Sequence, residues 1–363
     1  MPFPRKRRRP ASRHSGLYGA IDLGTNSCRM LIAAPDGSRF RIIDAFSKPV
    51  RLGQDLEETG RLSEAAIERT IKALNVCAAK LRKHGVKRRR LVATAACRRA
   101  ANGRDFLAEA RRETGLNLEL IKPEEEARLA VISTAPLIEP ETRQVLIVDI
   151  GGGSTELVWI DVSRVAPADR ARAVMRLVPG EARNAENVAP EGAEVIDWVS
   201  VPLGVSTLHQ RYADVEEDRA RFALMAWYFE EHLTEFRPYL DADAEEMLQG
   251  LQVIGTSGTI TTIAAAHLGL RRYDRAKVDG LWMSSDQIGT VMEGFLAMGR
   301  AGRAAHPGLG PERADFSLSG AAILQTILSI WPAPHLRVAD RGLREGLLYS
   351  MMGADGVLTG EVV

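Results

Sequence analysis

Two aspartates in this chain occupy the same place in the same short pattern. Ile21-Asp22-Leu23-Gly24-Thr25-Asn26-Ser27 and Val148-Asp149-Ile150-Gly151-Gly152-Gly153-Ser154 each bring an apolar run to an aspartate and then enter a glycine-rich turn. A second apolar run follows in each case, Met30-Leu31-Ile32-Ala33 and Leu157-Val158-Trp159-Ile160. Strand, tight turn and strand are thus written twice. Such a turn presents backbone N–H groups to a phosphate. Its carboxylate suits magnesium, which takes oxygen from one or two acids together with phosphate and water. A single copy reads equally well as a hairpin whose aspartate bonds its own turn. Two copies in matching context favour a clamp, with Asp22 and Asp149 near a cation and the two turns on a phosphate. Gly24, Gly151, Gly152 and Gly153 permit the close approach. Thr25, Asn26, Ser27, Ser154 and Thr155 add side-chain donors. Gly255-Thr256-Ser257-Gly258-Thr259 repeats the idea at a helix start, where free N–H groups favour an anion, and it lacks the lysine of a Walker A loop.

Other candidates are weaker taken singly. Glu124, Glu125 and Glu126 make an acidic first turn after Pro123, a placement that helix dipoles favour without any catalytic role. Arg98 follows a strand and has the chemistry to bind phosphate, although a lone arginine is usually solvated or salt-bridged. The seven histidines show no zinc-ligand spacing, and no serine–histidine–acid or cysteine–histidine set stands out. The three cysteines, Cys28, Cys77 and Cys97, show no metal spacing either and fit a reducing, cytoplasmic compartment.

The elements needed to position these residues alternate along the chain. Strands are predicted at Tyr18–Asp22, Cys28–Ala33, Phe40–Ala45, Leu91–Ala95 and Leu116–Ile121. A helix capped by Ser63 keeps apolar spacing through Ile67, Ile71, Leu74, Ala78 and Leu81 and stops at Gly85. Further helices are predicted over Asp105–Thr114, from Pro123, over Glu216–Tyr239, after Gly258, over Ala321–Ile330 and over Gly342–Met352. Later strands are predicted at Gln252–Ile254 and Val338–Ala339. The class is α/β, and 363 residues with 45% hydrophobic and 26% charged content allow two domains. Residues 1–16 read as a disordered basic tail (Arg5, Lys6, Arg7, Arg8, Arg9, Arg13). Residues 163–194, rich in Ala, Arg, Pro and Glu, read as a surface insertion. With the tail set aside the body is net acidic, which argues against general nucleic-acid binding. No apolar stretch approaches a membrane span.

Taken together, the motifs resemble the exopolyphosphatase / guanosine pentaphosphate phosphohydrolase family, within the actin, sugar kinase and heat-shock ATPase superfamily. The segments that carry the resemblance run from Tyr18 to Met352. Besides the two glycine turns they are Ala93-Thr94-Ala95-Ala96-Cys97-Arg98 with Asn102, Glu125-Glu126-Ala127-Arg128-Leu129, Pro202-Leu203-Gly204, Gly255-Thr256-Ser257-Gly258-Thr259 and Asp340-Arg341-Gly342-Leu343-Arg344-Glu345-Gly346-Leu347. The resemblance implies two ribonuclease-H-like domains, 17–124 plus 341–356 and 125–340, with the active site between them and the last helix packed back on the first domain. It implies that Glu126 is the catalytic base, that Asp149 and Glu156 lie near metal and phosphate, and that Arg98 contacts phosphate. Thr207 stands where many members have arginine, and Asp279 where many have histidine; both positions bear on substrate preference.

The expected activity is exopolyphosphatase, releasing orthophosphate from the end of inorganic polyphosphate with Mg2+. Guanosine pentaphosphate hydrolysis to the tetraphosphate is the alternative, and a homodimer is the possible assembly. A kinase-like phosphotransferase and a non-catalytic alarmone-binding protein rank below both. Lys83, Lys87, Arg88, Arg89 and Arg90, or Arg271, Arg272, Arg275 and Lys277, are candidate paths for a long polyanion.

Overall fold

The first hairpin sets the frame. Tyr18–Leu23 (β1) and Ser27–Asp36 (β2) pair antiparallel, with Asp22 opposite Arg29 and Leu23 opposite Cys28. The computed structural model describes residues 16–177, 192–233, 236, 250–309 and 311–359. The basic tail, apart from Gly16, lies outside the described residues, as does 178–191 of the stretch expected as an insertion. Arg39–Pro49 (β3) adds to β2. Helices Leu56–Thr59 (α1) and Glu64–Lys83 (α2) then lead to Arg88–Ala93 (β4), which runs parallel to β1. Ser63 caps α2 by accepting from the Ala66 N–H, and Gly85 ends it at φ 61°. Ala95–Arg99 (α3), Gly103–Thr114 (α4) and Glu119–Leu120 (β5) complete a sheet of order β3-β2-β1-β4-β5.

The second sheet repeats this plan. Gln144–Ile150 (β6) pairs antiparallel with Thr155–Asp161 (β7) and parallel with Leu251–Thr256 (β9), as β1 does with β2 and β4. Glu194–Val201 (β8), Trp282–Ser284 (β10) and His335–Ala339 (β11) extend it to the order β10-β11-β9-β6-β7-β8. Every residue of β6 is buried, the signature of a central strand covered on both faces.

Between Pro123–Thr134 (α5) and the chain end, the further α-helices among the described residues are Arg170–Met175 (α6), Val205–Arg211 (α7), Asp218–Glu231 (α8), Ser257–His267 (α9), Arg275–Val278 (α10), Ser285–Ala305 (α11), Pro311–Ile330 (α12) and Leu343–Ala354 (α13). Mixed sheets with flanking helices confirm the α/β class.

Three local expectations need correction. Ala95 begins a helix rather than ending a strand, because the chain turns at Thr94. Only Glu119 and Leu120 of the predicted Leu116–Ile121 strand pair with β4, while Leu116 and Leu118 are buried with α2 and α4. Apolar content there reports burial rather than a ladder. In the 163–194 stretch, α6 and the turn after it bury Ala173, Val174 and Leu177 in the core beside β6 and β7, so this part is built into the fold.

Two helices tie the sheets together. α5 sends Ala127 and Val131 into the core of the second sheet and Leu129 into a cluster with Tyr18, Ala20 and Val92 of the first. α13 joins that cluster through Leu343, Leu347, Leu348 and Met352, so the last helix does pack on the first sheet. The two helices cross at Gly346, where a Cβ would lie 2.3 Å from the Leu129 carbonyl oxygen. Gly346→Ala is therefore expected to destabilise the protein by about 1–3 kcal/mol, measured as a lower urea midpoint at unchanged m-value.

Candidate active site

The two glycine turns are built alike and meet. Gly24 N–H donates to the Ser27 carbonyl at 3.0 Å, and Gly151 N–H donates to the Ser154 carbonyl at 3.0 Å. Gly152 and Gly153 lie against the first turn: a Cβ on Gly152 would sit 2.9 Å from Asn26 Nδ2, and one on Gly153 2.6 Å from Thr25 Oγ1. The Ser206 hydroxyl donates across to Asn26 Oδ1 at 2.7 Å. Val205 and Ser206 N–H groups at the start of α7 donate to the Gly151 and Gly152 carbonyls at 3.0 and 2.8 Å, holding the second turn from behind. Gly204 makes this approach possible, since a Cβ there would come within 2.6 Å of Gly151 O and Gly152 C and O. Gly204→Ala should push the second turn off the first, lowering kcat/KM by about tenfold or more and stability by about 1–3 kcal/mol; steady-state phosphate release and thermal melting check both.

Between the turns lies a cleft of about 470 Å³. Asp22, Gly24, Thr25, Asn26, Ser27, Glu126, Asp149, Gly151, Gly152, Gly153, Ser154, Glu156, Thr256, Ser257 and Gly258 all line it. The strand ends of β1 and β6 deliver Asp22 and Asp149, β7 delivers Glu156, and the first turn of α5 delivers Glu126. The three glutamates of that turn part company. Glu125 is held by Arg90 at 2.6 Å and by Arg128 at 2.6 and 2.8 Å, and neither it nor Glu124 lines the cleft. Glu126 is 8% exposed and faces inward, with Arg98 Nη1 donating to its Oε2 at 2.8 Å.

Three sequence candidates sit elsewhere. Arg98 does not line the cleft; the nitrogen that bonds Glu126 also donates to the Ile121 carbonyl at 3.0 Å. Thr155 donates to the Leu203 carbonyl at 2.8 Å and braces the Pro202-Leu203-Gly204 loop. Gly255 belongs to β9, where a Cβ would meet the Ile260 side chain at 2.9 Å, so close packing accounts for it. The basic clusters also lie off the cleft. Arg88 pairs with Asp355, Arg90 with Glu119, and Arg275 with Glu345.

Sequence reading missed the cleft's cations, Arg29, Arg51, Arg313, Arg341 and Arg344. Arg29 had a legible signal: it stands two positions after Ser27 on β2, hence on the same face. Burial and the nearby Arg344 hold the Arg29 guanidinium below its ordinary pKa. Two crowded cations of this kind are suited to a polyanion.

The carboxylates are crowded too. Burial, then Glu126 and Asp22, raise the Asp149 pKa to about 7. Burial, then Glu126 and Asp149, raise Glu156 well above its usual range, and burial also raises Asp22 and Glu126. Ser257, at φ 78° in the left-handed region, donates to Asp149, and Ser200 donates to Glu156 at 2.8 Å. Strain of this kind at a non-glycine residue persists where the surroundings enforce it. Buried hard oxygen donors that repel one another fit a divalent cation. Among the described residues no group of three His, Cys, Asp or Glu side chains is placed to hold a metal ion by itself.

An aspartate raised in the fold keeps its proton longer folded than unfolded, so stability is present below its ordinary pKa and is lost as pH rises toward about 7. Without divalent cation, the melting temperature should fall between pH 5 and pH 8 by an amount equivalent to roughly 2 kcal/mol. Asp149→Asn should flatten that dependence, and added Mg2+ should stabilise wild type more at pH 8 than at pH 5. Differential scanning calorimetry at the two pH values checks all three.

Residues 31–355 match the Ppx/GppA phosphatase family. The chain belongs to that family. A guanosine-5'-triphosphate,3'-diphosphate pyrophosphatase of Aeromonas salmonicida (strain A449) is 29% identical over 342 residues, 94% of this chain and 60% of that protein. The Aeromonas hydrophila counterpart is 28% identical over the same span. This Ppx/GppA chain thus spans about 60% of the length of the curated relatives it matches. The crystal structure of the Aquifex aeolicus Ppx/GppA family member is 29% identical with a TM-score of 0.71, covering 94% of this chain and 98% of that one. An exopolyphosphatase from Cytophaga hutchinsonii, 23% identical, shares the fold with a TM-score of 0.76 over 95% of this chain and 99% of that one.

Proposed function

We propose that this Ppx/GppA phosphatase hydrolyses the terminal phosphoanhydride of inorganic polyphosphate and releases orthophosphate. The observation that carries the reading is Glu126 lining the same cleft as the two facing glycine turns. The turns around Gly24 and Gly151–Gly153, with Ser257 and Gly258, hold the terminal phosphates through N–H groups and hydroxyls. Glu126 takes a proton from a water molecule as that water attacks the terminal phosphorus in line. The P–O bond to the next phosphate breaks, and the shortened chain leaves with the electron pair. Asp149 and Glu156, with Asp22 beside them, are the residues that would hold Mg2+, which would supply neutralising charge to the transferring phosphoryl group.

A second reading is guanosine pentaphosphate as substrate. The cleft is also lined by the apolar residues Val205, Ile263, Phe295 and Phe316, for which an inorganic chain has no use, and the Aeromonas relatives carry the corresponding activity in their names. Phosphate release from polyphosphate of several lengths and from guanosine pentaphosphate, with and without Mg2+, tests both. Release from neither in the presence of Mg2+ would defeat the phosphatase reading.

A further inference from the structure

The place of Asp279 in the fold gives it a partner. It ends the short helix α10 and reaches the segment that carries the chain from β11 to α13. Its Oδ1 accepts the Asp340 N–H at 3.1 Å, and its two oxygens accept Arg341 Nε at 3.1 and 3.0 Å. The backbone of Arg341 is fixed as well, because its carbonyl accepts the Thr256 hydroxyl of the third glycine motif. Arg341 itself lines the cleft. Its terminal nitrogens carry no hydrogen bond among the described residues. An arginine anchored by Nε keeps both Nη groups, a planar fork, for a second anion.

We propose that Arg341 is a substrate-recognition residue for the phosphate chain and that Asp279 is the positioning residue that aims it. The assignment rests on the phosphate-chain reading of the cleft. Arg29 and Arg344 line the same cleft as Arg341, so an anion entering it meets more than one cation. Arg344 has only a loose approach to Glu345, at 3.9 Å. Asp279 bonds the guanidinium nitrogen nearest the backbone and makes no bond to either Nη group, which orients the cation without occupying its fork. Phosphate recognition then depends on a carboxylate that never touches the substrate.

The experiment uses inorganic tripolyphosphate. Its binding is measured by calorimetry on the full chain carrying Glu126→Gln, and its turnover on chains with Glu126 intact. Arg341→Met should weaken binding and raise KM by about tenfold to a hundredfold, the worth of charge-assisted hydrogen bonds, with kcat changed less than about threefold. Asp279→Asn should shift the same quantities in the same direction by a smaller factor. In the double variant the losses should not multiply, because Asp279 acts through Arg341. Arg341→Met should also show a shallower dependence of binding on ionic strength than the parent, because it removes a cation that meets the polyanion. A general structural weakness would lower kcat and the melting temperature without that salt signature. Unchanged tripolyphosphate binding in Arg341→Met overturns the assignment. Binding that is lost as expected, together with no phosphate release by wild type, overturns the phosphatase reading and leaves the assignment standing.

Discussion

Glu126→Gln is expected to lower kcat for phosphate release by about 10²- to 10⁴-fold, the usual contribution of a positioned general base. Of the three acids in the first turn of α5, Glu126 alone enters the cleft. The variant keeps the shape of the side chain and an oxygen able to accept from Arg98, so folding should persist. It also removes one negative charge from beside Asp149 and Glu156, both of which Glu126 pushes toward protonation. Affinity for tripolyphosphate should therefore hold or rise. Glu125→Gln is the internal control: its carboxylate is spent on Arg90 and Arg128, and kcat should change by less than about twofold. Single-turnover phosphate release gives the comparison free of product release. Equal rates for wild type and Glu126→Gln would remove Glu126 from the chemistry.

Arg98→Met should be almost as damaging at low pH and much less so at high pH. Burial raises the Glu126 pKa, and Arg98 opposes this through its charge and its 2.8 Å bond. Removing the guanidinium lifts the Glu126 pKa further. Since the base must be ionised to accept a proton, the acid limb of the kcat profile should move to higher pH. On the acid side of that limb each pH unit of displacement is worth about tenfold in rate. Arg98→Lys keeps a cation near the carboxylate and should shift the limb less. KM should stay close to wild type in both variants, because Arg98 lies off the cleft. A raised KM with an unmoved limb would show that Arg98 meets the substrate instead of serving Glu126.

What could be read without coordinates follows from local chemistry. The duplicated hairpins are legible because aspartate, glycine turn and alternating apolar runs are short-range instructions. Ser63 and Gly85 end α2 where their own backbone preferences require. The resemblance reached further, since Glu126 looks no different from Glu124 or Glu125 by composition alone. The Leu116–Ile121 run misled because apolar residues record burial whether or not a strand pairs with them. The strand orders β3-β2-β1-β4-β5 and β8-β7-β6-β9-β11-β10 show the repeat in three dimensions, beyond the two short motifs that announced it.

The amino-acid sequence by itself determined the α/β alternation, the paired glycine turns and the acids beside them, because each depends on neighbours a few positions away. Tertiary structure alone decided that Arg98 bonds Glu126 and does not line the cleft. It also decided that Arg29 from β2, Arg341 from the approach to α13 and Arg344 from α13 itself line one cleft. Those outcomes depend on how α5 and α13 cross at Gly346 and bring two separately formed sheets together. Contacts between residues hundreds of positions apart are set by packing, which no local pattern encodes.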